Sequence, residues 1–369
     1  MGINTIFDAQ NWPLISSPFW SLVFFTLGCI IGSFLNVCIY RLPLDLSIVT
    51  PPSFCPHCKY SIPFYLNIPL VTWLTLRGRC KNCGAPIAPR YFIVELLTGV
   101  MFLACWRVFS PQSPWLALVQ AVFLAGLIVA TFIDFEHFII PDSITLGGMA
   151  VGLVFSFFLP QLQSARTVGQ GMVNSFLGIA AGAGIIYAIL RLGKLLFGRQ
   201  KMKLPLETKI IFTETALCLP DQEIPYEEIF YRSSDTIVLQ ARKVELVDRG
   251  YQNVQVRLSP DRLQIGDETL APETVLHLEA VCSEITVPRE AMGLGDVKFM
   301  AAIGAFTGWP GVVFSLVASS IIGSAVGLSL ILARKREWSS RMPYGPYIAL
   351  AAVIWIFAGR KIVAAFLLP

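Results

Sequence analysis

The sequence predicts a polytopic α-helical membrane protein of about eight transmembrane helices, with a four-cysteine loop and an inserted β-rich domain. Three observations lead there. Of 369 residues, 55% are hydrophobic and only 14% charged, against about 25% charged in soluble domains. Two C-x-x-C pairs share one polar loop after the first apolar stretch. Late in the chain, a polar island replaces continuous apolar runs with period-two alternation, the pattern of half-buried strands.

The apolar stretches lie at 18–40, 91–109, 115–133, 140–159, 174–197, 294–308, 311–333 and 344–359. Each is long enough to span at ~20 residues, allowing for tilt. The sixth is short as an apolar run because its start holds Asp296 and Lys298. No Lys or Arg precedes Arg41, so the first span lacks the basic region of a cleaved signal peptide and is expected to stay as an anchor. Lys and Arg set the orientation. They gather at Arg41, Lys59, Arg77, Arg79, Lys81 and Arg90, again at Arg191, Lys194, Arg199, Lys201 and Lys203, and again at Arg334, Lys335, Arg336 and Arg341. The alternate loops offer mainly Arg107 and Arg166. Eight spans with both termini outside satisfy this pattern. The net charge of +4 then reflects topology, lipid is the partner the composition requires, and no nucleic acid is implied. The expected organisation is 1–40, first helix; 41–90, cytoplasmic cysteine loop; 91–198, helices two to five; 199–289, cytoplasmic β-rich insert; 290–369, helices six to eight.

In the loop, "CPHC" (Cys55, Cys58) and "CKNC" (Cys80, Cys83) stand 21 residues apart. That is the spacing of a four-thiolate zinc ribbon, each pair turning tightly to aim two sulfurs at one ion. Disulfides or redox pairs are the competing reading, disfavoured in a cytoplasmic loop. His57 is a spectator if all four thiolates bind. Cys29, Cys38 and Cys105 fall in spans and read as packing residues.

The insert repeats internally. Leu217, Leu219, Asp221, Ile224, Glu227 and Ile229 recur 46 positions later as Leu263, Ile265, Asp267, Leu270, Glu273 and Val275. Two copies of a short β unit would close into one domain, with Cys218 and Cys282 in its core. Nothing in it forms a catalytic or nucleotide-binding constellation, so a docking or regulatory module with its own protein partner is the expectation.

Charge in hydrocarbon is costly and marks function. The carboxylates in or beside the spans are Glu95, Asp134, Glu136, Asp142 and Asp296. The orientation above puts Asp134 and Asp296 at the same cytoplasmic edge. Two aspartates meeting there can share one proton, one serving as base toward water and the other as acid toward a carbonyl. Gly293 and Gly295 remove side chains beside Asp296 and admit close backbone approach. Alternatively, Asp296 is a helix N-cap or pairs with Lys298, and Asp142, after Pro141, is an N-cap.

"GLGDVK" (293–298) resembles the G-x-G-D-x-K motif of the type IV prepilin peptidases, membrane aspartyl proteases; "IDFEHFIIPD" (133–142) is similar to that family's first aspartate segment. "GSFLNVCIYRLP" (32–43), the double C-x-x-C loop, "PRYFIVELLTG" (89–99) and "MPYGPYIALAA" (342–352) resemble bacterial members. The resemblance implies catalytic Asp134 and Asp296, with Gly293, Gly295 and Lys298 as motif support. It further implies removal of a short basic leader from prepilin or pseudopilin-like proteins at the cytoplasmic face of the bacterial inner membrane. Many relatives also N-methylate the new terminus with S-adenosylmethionine; no G-x-G-x-x-G after a strand marks a donor site here, and the donor-binding residues are not legible. The insert departs from the family's short loop. A proton-relaying transporter would place charges mid-span, and a non-catalytic scaffold would tolerate loss of either aspartate.

Overall fold

The computed structural model describes residues 18–367, apart from 221, 227–228, 231–234, 247, 276, 289–292 and 334–341. Asp221, Glu227 and the basic residues Arg334, Lys335, Arg336 and Arg341 therefore lie outside the described residues. The chain divides into two compact units. One comprises Met1–Tyr187 with Leu294–Pro369, the other Ala188–Gly293.

The first unit is helical. Its main elements are α1 (Pro18–Arg41), α2 (Pro89–Phe109), α3 (Pro114–His137), α4 (Asp142–Phe158), α5 (Val168–Phe197, continuing into the second unit), α6 (Leu294–Leu332), α7 (Gly345–Ile354) and α8 (Arg360–Leu367). The starts of α2 and α3 follow local chemistry: each has a proline in its first turn, where the missing N–H is no loss. Ser113 caps α3 by accepting the Leu116 N–H. Among the described residues, α1, α2, α3, α5 and α6 are long and apolar enough to cross a membrane.

Five such helices differ from the eight stretches read in the sequence, for local reasons. The fourth begins at Asp142 and has 17 residues, while α7 has 10 and continues through one π-helical turn, Trp355–Gly359. The stretches at 294–308 and 311–333 form one 39-residue element, broken at Gly308 (φ 67°) ahead of Pro310.

Small residues let these helices approach closely, the usual device where lipid removes the hydrophobic drive between them. A Cβ on Gly28 would lie 2.8 Å from Gly99 Cα, and one on Gly32 would lie 2.7 Å from Glu95 Cα. Gly178 on α5 and Gly304 on α6 touch backbone to backbone in the same way. In a regular helix the Ala305 carbonyl would accept from residue 309. The break at Gly308 interrupts that, and Gln163 Nε2 (2.5 Å) and Ser175 Oγ (2.8 Å) donate to it instead, as buried backbone in a membrane requires.

The second unit is one antiparallel sheet: β1 (Arg199–Phe212), β2 (Ala216–Leu219), β3 (Gln222–Pro225), β4 (Ile237–Glu245), β5 (Gly250–Ser259), β6 (Arg262–Ile265), β7 (Glu268–Leu270) and β8 (Leu278–Pro288), in the order β3-β2-β1-β8-β4-β5-β6-β7. The 46-residue repeat maps onto matching hairpins, β2–β3 and β6–β7, which sit at opposite ends of the sheet. The fourth strand of each copy crosses over: β8 pairs with β1, β4 with β5, and the two pair centrally. Neither copy completes its sheet alone. One apolar core collects Ile210, Leu217, Leu239, Val256, Ile265 and Ile285 among others. Cys282 is in it, whereas Cys218 is only half-buried.

Candidate active site

Helix α3 ends when Phe138 adopts a left-handed conformation (φ 56°) and returns its N–H to the Asp134 carbonyl at 3.1 Å. Four residues later α4 begins. Asp134, on the last turn of α3, is 5% exposed. Its Oδ2 accepts the backbone N–H of Gly345 at 2.8 Å. Gly345 opens α7, and the first N–H groups of a helix have no partner within it. The carboxylate thus meets an aimed donor and the positive end of the helix dipole. Only glycine fits: a Cβ on Gly345 would lie 2.7 Å from Asp134 Oδ2 and 3.2 Å from Ile140 Cδ1.

Ile140 links this contact to the second aspartate. A Cβ on Gly295 would lie 3.5 Å from Ile140 Cβ and 3.6 Å from its backbone nitrogen. The residue just before Asp296 therefore packs on the same isoleucine that packs on Gly345. Asp296 itself is half-buried in the first turn of α6. Deeper along the helices, Phe123 of α3 and Phe306 of α6 stack with ring centroids 4.1 Å apart.

Two further carboxylates brace this region. Lys298 Nζ reaches both Asp142 oxygens, at 2.6 and 2.8 Å, tying the first turn of α6 to that of α4. Asp142 is consequently not an N-cap, as the residue pattern suggests; Pro141 holds that position without a side-chain bond. Arg90 at the start of α2 pairs with Glu136 near the end of α3. Gly293 is exposed. Sequence reasoning missed Gly345, Ile140 and Arg90, although the Gly-Pro pair opening the last apolar stretch was a visible sign.

The cysteine loop forms two matching turns. Cys55 accepts from Lys59 and donates to Tyr60, and Cys80 accepts from Gly84 and donates to Ala85, all through backbone groups. Lys59 (φ 57°) and Gly84 (φ 72°) hold the equivalent left-handed position. The sulfurs of Cys55, Cys58, Cys80 and Cys83 all lie within 4.8 Å of one another, with 3.9 Å between Cys55 and Cys83 and 4.0 Å between Cys58 and Cys80. Four sulfurs at ~2.3 Å from a tetrahedral zinc would stand ~3.8 Å apart, so the cluster fits a metal ion. The Asn82 side chain, followed by the Tyr60 backbone, hydrogen-bonds Cys58 and pulls its thiol down to about 6. Backbone N–H groups of Cys83 and Asn82 lower Cys80. Such donors favour the thiolate at Cys58 and Cys80, the form a metal needs. At Cys83 the Ala85 backbone hydrogen bond is outweighed by desolvation and the cysteine neighbours, which push the thiol up to about 11. His57 is outside the cluster, and Cys29, Cys38 and Cys105 are buried packing residues.

Comparison with known proteins now decides the family. The family model for the bacterial peptidase A24 N-terminal domain matches residues 26–109, and that for the type IV leader peptidase family matches 121–204 and 275–328. A prepilin leader peptidase/N-methyltransferase of Neisseria gonorrhoeae is 35% identical over 216 residues, covering 51% of this chain and 71% of that protein. The chain belongs to the type IV leader peptidase family. A protein of the same description from Myxococcus xanthus is 42% identical over 206 residues, 52% of this chain and 60% of that one. One from Aeromonas hydrophila is 27% identical over 368 residues, 93% and 92% of the two chains. No solved structure matches. The gap in the second family match, 205–274, falls within the β sheet.

Proposed function

We propose that this chain is a membrane aspartyl endopeptidase that removes the basic leader of type IV prepilin or pseudopilin-like proteins and N-methylates the new terminus. The observation that carries the peptidase reading is the pinning of buried Asp134 by Gly345 beside Ile140, against which the G-x-G-D turn packs. Asp134 and Asp296 act as the pair. The ionised carboxylate takes a proton from water, whose oxygen attacks the scissile carbonyl while the protonated partner hydrogen-bonds the developing oxyanion. Collapse passes a proton to the departing amine and restores the shared proton. Gly295 leaves room for an extended peptide beside Asp296.

The helical unit makes eight crossings, with α4 and α7 as short spans and α6 as two spans meeting at Gly308. The basic loops lie in the cytoplasm of a bacterium, which puts the aspartates, the cysteine loop and the 199–289 insert on that face of the inner membrane. Zinc held by Cys55, Cys58, Cys80 and Cys83 braces the loop and takes no part in hydrolysis. S-adenosylmethionine supplies the methyl group. When bound, it would offer an electrophilic methyl to the lone pair of the freed amine and leave as S-adenosylhomocysteine, the amine losing a proton. The insert offers a docking surface for a protein partner.

Purified protein incubated with a candidate prepilin tests this by mass spectrometry of the product. Loss of the leader, followed by gain of one methyl on the new N-terminus, is expected. A substrate left intact would overturn the reading.

A further inference from the structure

Asp134 is held by a backbone N–H whose direction is set by its neighbours in sequence. In the first turn of α7, Pro346 carries no N–H, and Tyr347 and Ile348 return theirs to the Tyr344 carbonyl at 3.1 and 3.2 Å. The Gly345 N–H is left to meet Asp134 Oδ2. Tyr344 immediately precedes it at the N-cap and makes no side-chain bond to the helix it caps. Its hydroxyl instead lies 3.0 Å from Ser319 Oγ and 3.1 Å from Ser320 Oγ on α6. Both serine hydroxyls already donate to the Leu316 carbonyl one turn back, at 3.0 and 2.8 Å, a local bond that serine makes inside helices. Their protons are committed, so the phenol is the donor and the two serine oxygens accept. Ser319 is fully buried and Tyr344 half-buried. Gly323, one turn further along α6, lies against the same ring: a Cβ there would stand 3.7 Å from Tyr344 Cε2.

We propose that Tyr344, gripped by Ser319 and Ser320, is a positioning residue for Asp134: it fixes the start of α7 so that the Gly345 N–H meets the carboxylate. The proposal rests on the aspartyl endopeptidase reading above and extends it to three side chains outside the two aspartate motifs. Packing alone does not account for them. A hydroxyl among apolar helices costs free energy unless it is bonded, and a phenylalanine ring would fill the same space against Gly323 without that cost. The bond is also made at a sensitive point. A single peptide unit joins Tyr344 to the Gly345 nitrogen, so any rotation of Tyr344 swings that N–H directly. Hydroxyl bonds between helices fix their relative placement in lipid, where apolar burial supplies no drive between them. The consequence is that α6 addresses both aspartates. Its first turn carries Asp296, and beyond the break at Gly308 its second stretch holds Tyr344 and, through Gly345, Asp134. The two carboxylates are thereby registered against one element rather than against separate ones.

Steady-state cleavage of a prepilin substrate by the detergent-solubilised full chain, with thermal melting alongside, tests the assignment. Tyr344→Phe is expected to lower kcat about tenfold and leave KM within about twofold of wild type, a fraction of the ~100-fold that ~1 Å of misplacement costs. Ser319→Ala combined with Ser320→Ala removes the acceptors and keeps the phenol. It should give the same loss, and adding Tyr344→Phe to it should cost nothing more, since one contact is involved. In a Gly345→Ala background, where the N–H is already displaced, Tyr344→Phe should change kcat by less than about twofold. Ser329 donates to Val326 within α6 at 2.7 Å, and Ser329→Ala should cleave as wild type does; an equal loss there would mark a general effect on α6 and overturn the proposal. Wild-type kcat in Tyr344→Phe or in the serine variant would overturn it, as would a loss carried by KM or one that multiplies with Gly345→Ala. Should Tyr344→Phe fold poorly, the serine variant decides. A wild type that leaves prepilin intact would overturn the endopeptidase reading, and this role of Tyr344 with it.

Discussion

At the residue scale, Gly345 is the most demanding position in the site. Its N–H holds Asp134 Oδ2 at 2.8 Å, and any Cβ there must displace the carboxylate it serves. Gly345→Ala is expected to lower kcat for leader cleavage by ~100-fold, the cost of misplacing a catalytic group by about 1 Å, with KM little changed. Gly126, on the same helix as Asp134, has nothing within 4 Å of an added Cβ. Gly126→Ala should therefore leave cleavage intact and stabilise α3 by ~0.5–1 kcal/mol. Comparing the two variants by steady-state kinetics and thermal melting checks both statements. The aspartates were legible in the sequence because charge is rare in an apolar chain. Gly345 was not, since its partner lies 211 residues away and glycine carries no chemical label.

Between elements, the Lys298–Asp142 bridge joins the first turns of α6 and α4. Both side chains are partly exposed, 40% and 58%, so the pair adds at most ~1 kcal/mol to stability. Its value is placement of the turn that carries Asp296. Asp142→Ala and Lys298→Ala are each expected to slow cleavage by about tenfold, and the double variant by about the same factor, since one contact is lost in all three. A multiplicative loss in the double variant would separate the two residues. Asp142→Asn, which keeps an acceptor for Lys298, should be milder still. The cysteine turns form the other brace: elemental analysis should find about one zinc per chain, released when Cys58 is changed to Ser. Strand identity was readable from alternation, but its phase was not. In β4 the buried positions run Ile237, Leu239, Ala241 and then Val244, because a register shift intervenes. A bulge moves the inward face by one residue, and a strict period of two misses it.

At the scale of the whole molecule, the insert and the helical unit are separate compact bodies in one chain, and the sheet buries its own core. Crossover of the fourth strands makes the two repeats one folding unit, so removing half of it should unfold the rest of the sheet. Removing 201–287 entirely, with a short linker, should leave a helical protein that still cleaves prepilin; circular dichroism and product mass check this, and a well-folded deletion variant without cleavage would make the insert part of the catalytic apparatus. The composition announced apolar helices long enough to cross a membrane, and the cysteine spacing a four-sulfur cluster that could hold a metal ion. The number of crossings was harder to read, because a kinked helix and two short ones resist a count by apolar length alone. The central claim is that Asp134 and Asp296 act together as the protease pair. Its most direct test is leader removal by purified Asp134→Asn and Asp296→Asn proteins, each shown to be folded, measured by mass spectrometry of a prepilin substrate. Both should fall by ~10²–10⁴-fold relative to wild type, the usual contribution of a general acid or base. Near-wild-type cleavage by either variant would contradict the account.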